Sequence, residues 1–141
     1  MVHFLKEKER KSRVRDNHNL SHTLGMEFVE ISEGKVVMTM PVDERTRQPF
    51  GYLHGGASVA LAETAASVGT ARLINPDTQI CFGLEINANH IKAKREGIVT
   101  ATAKAVHRGR TTMVWQIEIC DEQGELICLS RCTVAVMPKK S

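Results

Sequence analysis

No two cysteines in this 141-residue sequence form a C-x-x-C pair, and none of Cys81, Cys120, Cys128 and Cys132 has a histidine at zinc-ligand spacing. That excludes the common structural zinc modules. Cys128 and Cys132 fall in one strand-like run, about 13 Å apart along it, too far for a disulfide between them. Free thiols in a reducing compartment are the simple account. The N-terminus lacks an apolar stretch, since charge begins at Lys6, so no signal segment is expected. Nor is there an apolar run fit to span a membrane; the one candidate is rich in small residues and interrupted by Glu63. Repeats, low-complexity tracts and interdomain linkers are also missing. These absences predict one cytoplasmic domain without a membrane partner, long enough to build a core without staples.

The formal net charge of +3 is unevenly placed. Residues 1–16 carry six Lys/Arg against three Asp/Glu, and the rest of the chain carries thirteen of each. The body is neutral behind a basic leader, "KEKERKSRVR". A nucleic-acid arm would use such charge, but this one has no aromatic residues interleaved for stacking on bases. It reads as a solvated tail or short surface helix, with no nucleic-acid partner.

What is present reads as strands around one helix. "MEFVEIS" and "KVVMTMPV" are short strands joined through "SEGK". "DERTRQPFGYLH" is too irregular for either period. Gly55 and Gly56 open a helix that the pattern carries to Leu73, with Asn75 and Pro76 as its stop. "CFGLEINANHI", "GIVTATAKAV", "MVWQIEI" and "LICLSRCTVAV" follow as strands, the last three linked by turns around Gly109 and Gly124. The predicted order is β-β-α-β-β-β-β, an α+β fold with one helix against an antiparallel sheet. Ala57, Val59, Leu61, Ala62, Ala65, Ala66 and Val68 make that helix apolar on every side, so it must be enclosed. One sheet layer leaves a flank uncovered, which predicts a homo-oligomer.

Between His54 and Arg72 the only ionisable side chain is Glu63. It is either solvated or held where burial demands a reason. Gly55 and Gly56 offer backbone N–H groups at the positive end of the helix dipole, and glycine admits a ligand close to the backbone. Gln48 and His54 add donors, and Ser67 lies one turn beyond Glu63. Such a set suits acyl transfer, in which one group attacks or activates water and another holds the oxyanion. Eight helical residues span about 12 Å, whereas both groups must lie about 3 Å from one reacting centre. Gly55 and Glu63 of one chain cannot serve the same carbonyl. Two antiparallel copies of the helix across a two-fold axis could.

The stretch "RTRQPFGYLHGGASVALAETAASVG" resembles the active-site loop and central helix of hotdog-fold acyl-CoA thioesterases. The branch is that of the 4-hydroxybenzoyl-CoA and 1,4-dihydroxy-2-naphthoyl-CoA thioesterases. The likeness continues through "GLEINANHIKAKREG" and "VWQIEICDEQGEL", from about residue 24 to 137. It implies a leader over 1–23 and a thioesterase domain over 24–141, with one long central helix wrapped by a curved antiparallel sheet. By resemblance, Glu63 is the catalytic nucleophile or general base and Gly55 donates its N–H to the thioester oxygen. Gln48 and His54 orient and polarise the thioester, and Ser67 with Thr64 positions water. The branch commonly has serine where Thr64 stands. For the phosphates of coenzyme A, His90, Lys92, Lys94 and Arg95 near one strand end and Arg108 and Arg110 flanking a hairpin are candidates; a basic edge guarding the sheet is the alternative. Phe50, Tyr52, Phe82 and Met113 are expected to wall the acyl pocket. No cofactor or metal is implied, coenzyme A being part of the substrate. A homodimer or dimer of dimers is implied, and menaquinone biosynthesis is a setting for the naphthoyl substrate. A fatty acyl-CoA or acyl-carrier-protein thioesterase shares these features. A dehydratase needs a differently placed acid, and an acyl-CoA-sensing regulator needs more chain before residue 24 for a DNA-binding unit.

Overall fold

The computed structural model describes residues 18–140, and the basic cluster of the leader lies outside them. A short helix, α1 (Leu20–Thr23), precedes strands β1 (Glu27–Ser32) and β2 (Lys35–Val42). The central helix α2 (Gly55–Ala71) follows, then β3 (Gln79–His90), β4 (Gly97–Arg108), β5 (Thr112–Cys120) and β6 (Leu126–Pro138). The six strands form one antiparallel sheet in the order β1-β2-β4-β5-β6-β3. The predicted β-β-α-β-β-β-β order stands from β1 onward, with the one-turn helix α1 added before it.

Period-two alternation builds the inner face of the sheet. Val36, Met38, Met40 and Val42 of β2, Val99, Ala101 and Ala103 of β4, and Met113, Trp115, Ile117 and Ile119 of β5 are all buried. Against them α2 buries Ala57, Ser58, Leu61, Ala62, Ala65, Ala66, Gly69 and Thr70. Small residues let the helix sit low on the sheet. A Cβ on Gly69 would overlap the Trp115 indole, whose Cζ2 would lie 2.7 Å from it. The indole Nε1–H donates to Thr70 Oγ1 at 2.9 Å, and that hydroxyl donates onward to the Ala66 carbonyl at 3.0 Å.

His54 caps α2 at its start: its backbone is extended and its Nδ1 accepts the Gly56 N–H at 2.8 Å. The helix ends at Ala71, two residues short of the sequence expectation, because the Leu73 N–H turns in to the Thr70 carbonyl at 2.9 Å. Not every side of the helix is enclosed within the chain. Val59, Ala60, Glu63, Thr64, Ser67 and Val68 are half-buried along one open flank.

That flank lies beside β3, an edge strand whose Ile80, Phe82 and Leu84 are exposed. A β-bulge between Gly83 and Glu85 interrupts its pairing with β6. Before the bulge, Cys81 and Gly83 face buried Val136 and Val134; after it, Ile86, Ala88 and His90 face buried Cys132, Ser130 and Cys128. The inward frame has moved from odd to even residues.

Thr70→Val keeps the volume but leaves the buried indole N–H without an acceptor. It should cost about 1–3 kcal/mol in urea denaturation, and Thr70→Ser should recover most of that.

Candidate active site

The loop before α2 is held by its own polar groups. The Gln48 N–H donates to the Tyr52 carbonyl at 2.7 Å, and Gly51, with φ at +89°, returns its N–H to the Gln48 carbonyl at 2.9 Å. The Gln48 side-chain Oε1 accepts the N–H of Phe50 at 2.5 Å and of Tyr52 at 3.4 Å. Its carbonyl is thus engaged in shaping the loop, and its NH₂ remains as a donor. The loop is also fastened to the chain after β3. Leu53 N–H donates to the Lys94 carbonyl at 2.7 Å, and Arg47 Nε to the Arg95 carbonyl at 2.8 Å. The Arg95 guanidinium lies 4.5 Å from the Tyr52 ring centroid and donates to the Tyr52 hydroxyl at 2.7 Å. Arg95, grouped by sequence with the basic residues near His90, is an anchor for this loop.

The fastened loop, the start of α2 and the end of β3 enclose a groove of about 400 Å³, lined among others by Gln48, Tyr52, Gly55, Ser58, His90 and Lys92. The expectation of two free N–H groups at the helix start needs correcting, because His54 Nδ1 takes that of Gly56. Among the described residues the Gly55 N–H has no hydrogen-bond partner. The His90 ring lies over Gly55, its Nε2 only 2.8 Å from where a Cβ would stand. Glycine here is a matter of space. With Nδ1 as an acceptor, the His54 imidazole is held at the helix mouth in one orientation.

Glu63 belongs to a second groove, of about 490 Å³, lined by Leu20, Gly56, Val59, Ala60, Glu63, Thr64, Ser67 and Val68. Among the described residues its carboxylate has neither an ion-pair nor a hydrogen-bond partner. Thr64 Oγ1 donates to the Ala60 carbonyl at 2.6 Å, so its proton is spent on the helix backbone. The Ser67 hydroxyl makes no such bond among the described residues and faces the same groove as Glu63. On the neighbouring strand the Cys132 thiol is pushed up to about 12, by burial first and then by the charges of Glu63 and Glu85. It stays protonated and is no nucleophile.

The structure therefore groups Gln48, Gly55 and His90 in one place and Glu63, Thr64 and Ser67 in another. The basic candidates divide as well. Lys92 pairs with Glu125 and, at 3.8 Å, with Asp121. Arg108 pairs with Glu33 at 2.8 Å and shares a groove with Arg72 and Leu73 at the far end of α2, and Arg110 is exposed in the adjoining turn. Within one chain, His90 and Arg108 stand at opposite ends of a helix about 25 Å long. Met113 is buried in the core, contrary to its expected place on a pocket wall; its parity on β5 points it under the helix. Phe50 is 83% exposed at the loop tip. Ser58 and Ile91 line the Gly55 groove and escaped the sequence reading, because Ser58 carries no charge and Ile91 reads only as the apolar end of a strand.

Comparison with known proteins bears on these groupings. The profile of the Thioesterase superfamily matches residues 50–128. The chain is 56% identical over 121 residues to 1,4-dihydroxy-2-naphthoyl-CoA hydrolase of Listeria monocytogenes, covering 86% of this chain and 98% of the relative. It is 50% identical over 119 residues to the enzyme of that name from Escherichia coli, covering 84% and 87%. Among solved structures, a mutant of thioesterase PA1618 from Pseudomonas aeruginosa superposes with a TM-score of 0.88 at 39% identity, covering 97% of both chains. With its sheet curved around one central helix in the hotdog arrangement, the chain belongs to the Thioesterase superfamily.

Proposed function

We propose that this thioesterase hydrolyses an aromatic acyl-CoA, of the 1,4-dihydroxy-2-naphthoyl or hydroxybenzoyl type, to the free acid and coenzyme A. The observation that carries the mechanism is the unpartnered, half-buried Glu63 carboxylate, set apart from the Gly55 N–H by about 12 Å of helix. Two copies with α2 antiparallel bring the Gly55 groove of one to the Glu63 groove of the other. The open helix flank beside the unpaired edge of strand β3 suits that pairing. Burial of the flank also strengthens every charge interaction within the site.

In this reading the partner's Gly55 N–H and Gln48 NH₂ hold the thioester oxygen as it gains charge, and His54 fixes the helix mouth that presents Gly55. Glu63 either takes a proton from a water held by Ser67, so that the water oxygen attacks the carbonyl carbon, or attacks that carbon itself. In the second case water then cleaves the resulting anhydride. Both routes break the carbon–sulfur bond, and the departing coenzyme A thiolate takes up a proton, from protonated Glu63 in the first route and from solvent water in the second. No metal or redox cofactor enters. His90 and Lys92 lie at the Gly55 groove, and the antiparallel pairing sets the partner's Arg108 and Arg110 at the same end, where phosphates could be received. The naphthoyl substrate rests on the names of the relatives, and menaquinone biosynthesis is its setting. A fatty acyl-CoA or acyl-carrier-protein thioester is the alternative that substrate profiling separates.

Thiol release from naphthoyl-, benzoyl-, phenylacetyl- and medium-chain acyl-CoAs should be fastest with the aromatic thioesters. Glu63→Ala should abolish nearly all of it while far-UV circular dichroism stays unchanged; an unchanged kcat would end the mechanism. Gln48→Ala, which removes one oxyanion donor, should lower kcat by about 10²-fold. Co-refolding Glu63→Ala with Gln48→Ala chains tests the shared site. If Gln48 and Glu63 act across the interface, mixed dimers regain one intact site, and activity rises well above the average of the two parents. No gain would put both groups in one chain.

A further inference from the structure

Gly83 sits inside β3 without a conformational reason to be glycine, since it is not among the residues with positive φ. Glycine weakens a strand interior, and a β-branched residue would serve better there. What claims the space is the Glu63 side chain. A Cβ on Gly83 would collide with the Glu63 carboxylate oxygen, with Cδ at 3.0 Å and Cγ at 3.3 Å. The carboxylate occupies the space beside β3 where a side chain at position 83 would stand.

The β-bulge follows at once. Gly83 pairs with Val134 and Glu85 with Thr133, which leaves Leu84 as the extra residue. Had the strand kept its frame, residues 81, 83 and 85 would all face inward, and a second carboxylate would come up beside Glu63. Like charges at that range suppress ionisation of one partner. The bulge turns the next inward position over to Ile86.

We infer that Gly83, with the bulge it opens, is a positioning residue for Glu63: the missing side chain leaves the slot that sets where the carboxylate meets the thioester. The inference rests on Glu63 being the reacting group. A methyl at position 83 shifts the carboxylate by rotation about its own side chain, so the fold and the binding groove are kept while the reacting oxygen is misplaced. Misplacing a reacting atom by about 1 Å costs about 10²-fold in rate.

The test is a double-mutant cycle on thiol release from 1,4-dihydroxy-2-naphthoyl-CoA and 4-hydroxybenzoyl-CoA, with Gly83→Ala, Glu63→Asp and the double variant. Gly83→Ala should lower kcat at least tenfold, with KM within about twofold of wild type and an unchanged melting temperature. Aspartate is one methylene shorter and clears the methyl, so adding Gly83→Ala to Glu63→Asp should change kcat by less than twofold. A wild-type kcat in Gly83→Ala, or an equal loss in both backgrounds, overturns the inference. Glu63→Ala run alongside reports separately on the underlying reading: retained turnover there removes the reacting role of Glu63 whatever Gly83 does.

Discussion

A helix can approach a sheet only as closely as the side chains between them allow, and α2 meets that limit with alanine, serine and glycine. Trp115 fills the space over Gly69 and is tied to the helix by its indole N–H. The low seat has two results. It brings the Glu63 side chain within reach of the β3 backbone and the Gly55 turn beneath the His90 ring. It also exhausts the sheet's capacity to cover the helix, and one flank stays open. Larger residues along the buried side would lift the helix and part both contacts together.

The chemistry follows from how polar groups are engaged or left idle. Gln48 Oε1, His54 Nδ1 and Thr64 Oγ1 are occupied with the backbone, and each shapes a loop, a helix mouth or a helix turn. The Gly55 N–H and the Glu63 carboxylate have no such duty among the described residues. A donor at a helix N-terminus and an unpaired carboxylate both retain most of their capacity to interact with an incoming thioester. Orientation comes from the engaged atoms, and reactivity from the idle ones.

Most of the fold was legible because period-two patterns in β2 and β5 are unbroken and the turns carry glycine. The half-site at Glu63 was legible too, as a lone charge in an apolar helix is a loud signal. The His54 cap was harder to see, since a histidine before two glycines reads equally as donor or loop residue. Arg95 was placed by charge with the phosphate-binding candidates, while the structure spends it on Tyr52; a cation–π contact across a loop leaves no mark in local spacing. In β3 the alternation "CFGLEINANH" breaks midway, and without a partner strand the break looks like a weak strand rather than a bulge. Ser58 and Gly83 were invisible because their meaning lies in what other residues put beside them.

The bulge in β3 acts as a phase change along one ribbon of chain. The strand's first half is read on odd residues and presents Gly83 to the acid; its second half is read on even residues and presents His90 to the helix start. One extra residue thus synchronises two halves of a site that different ends of the helix control. The number of residues in this strand is therefore as much a part of the site as Gly83 and His90 themselves. A homologue that lost the extra residue would need to relocate either its acid or its histidine, and its sequence would announce a different arrangement of the groove.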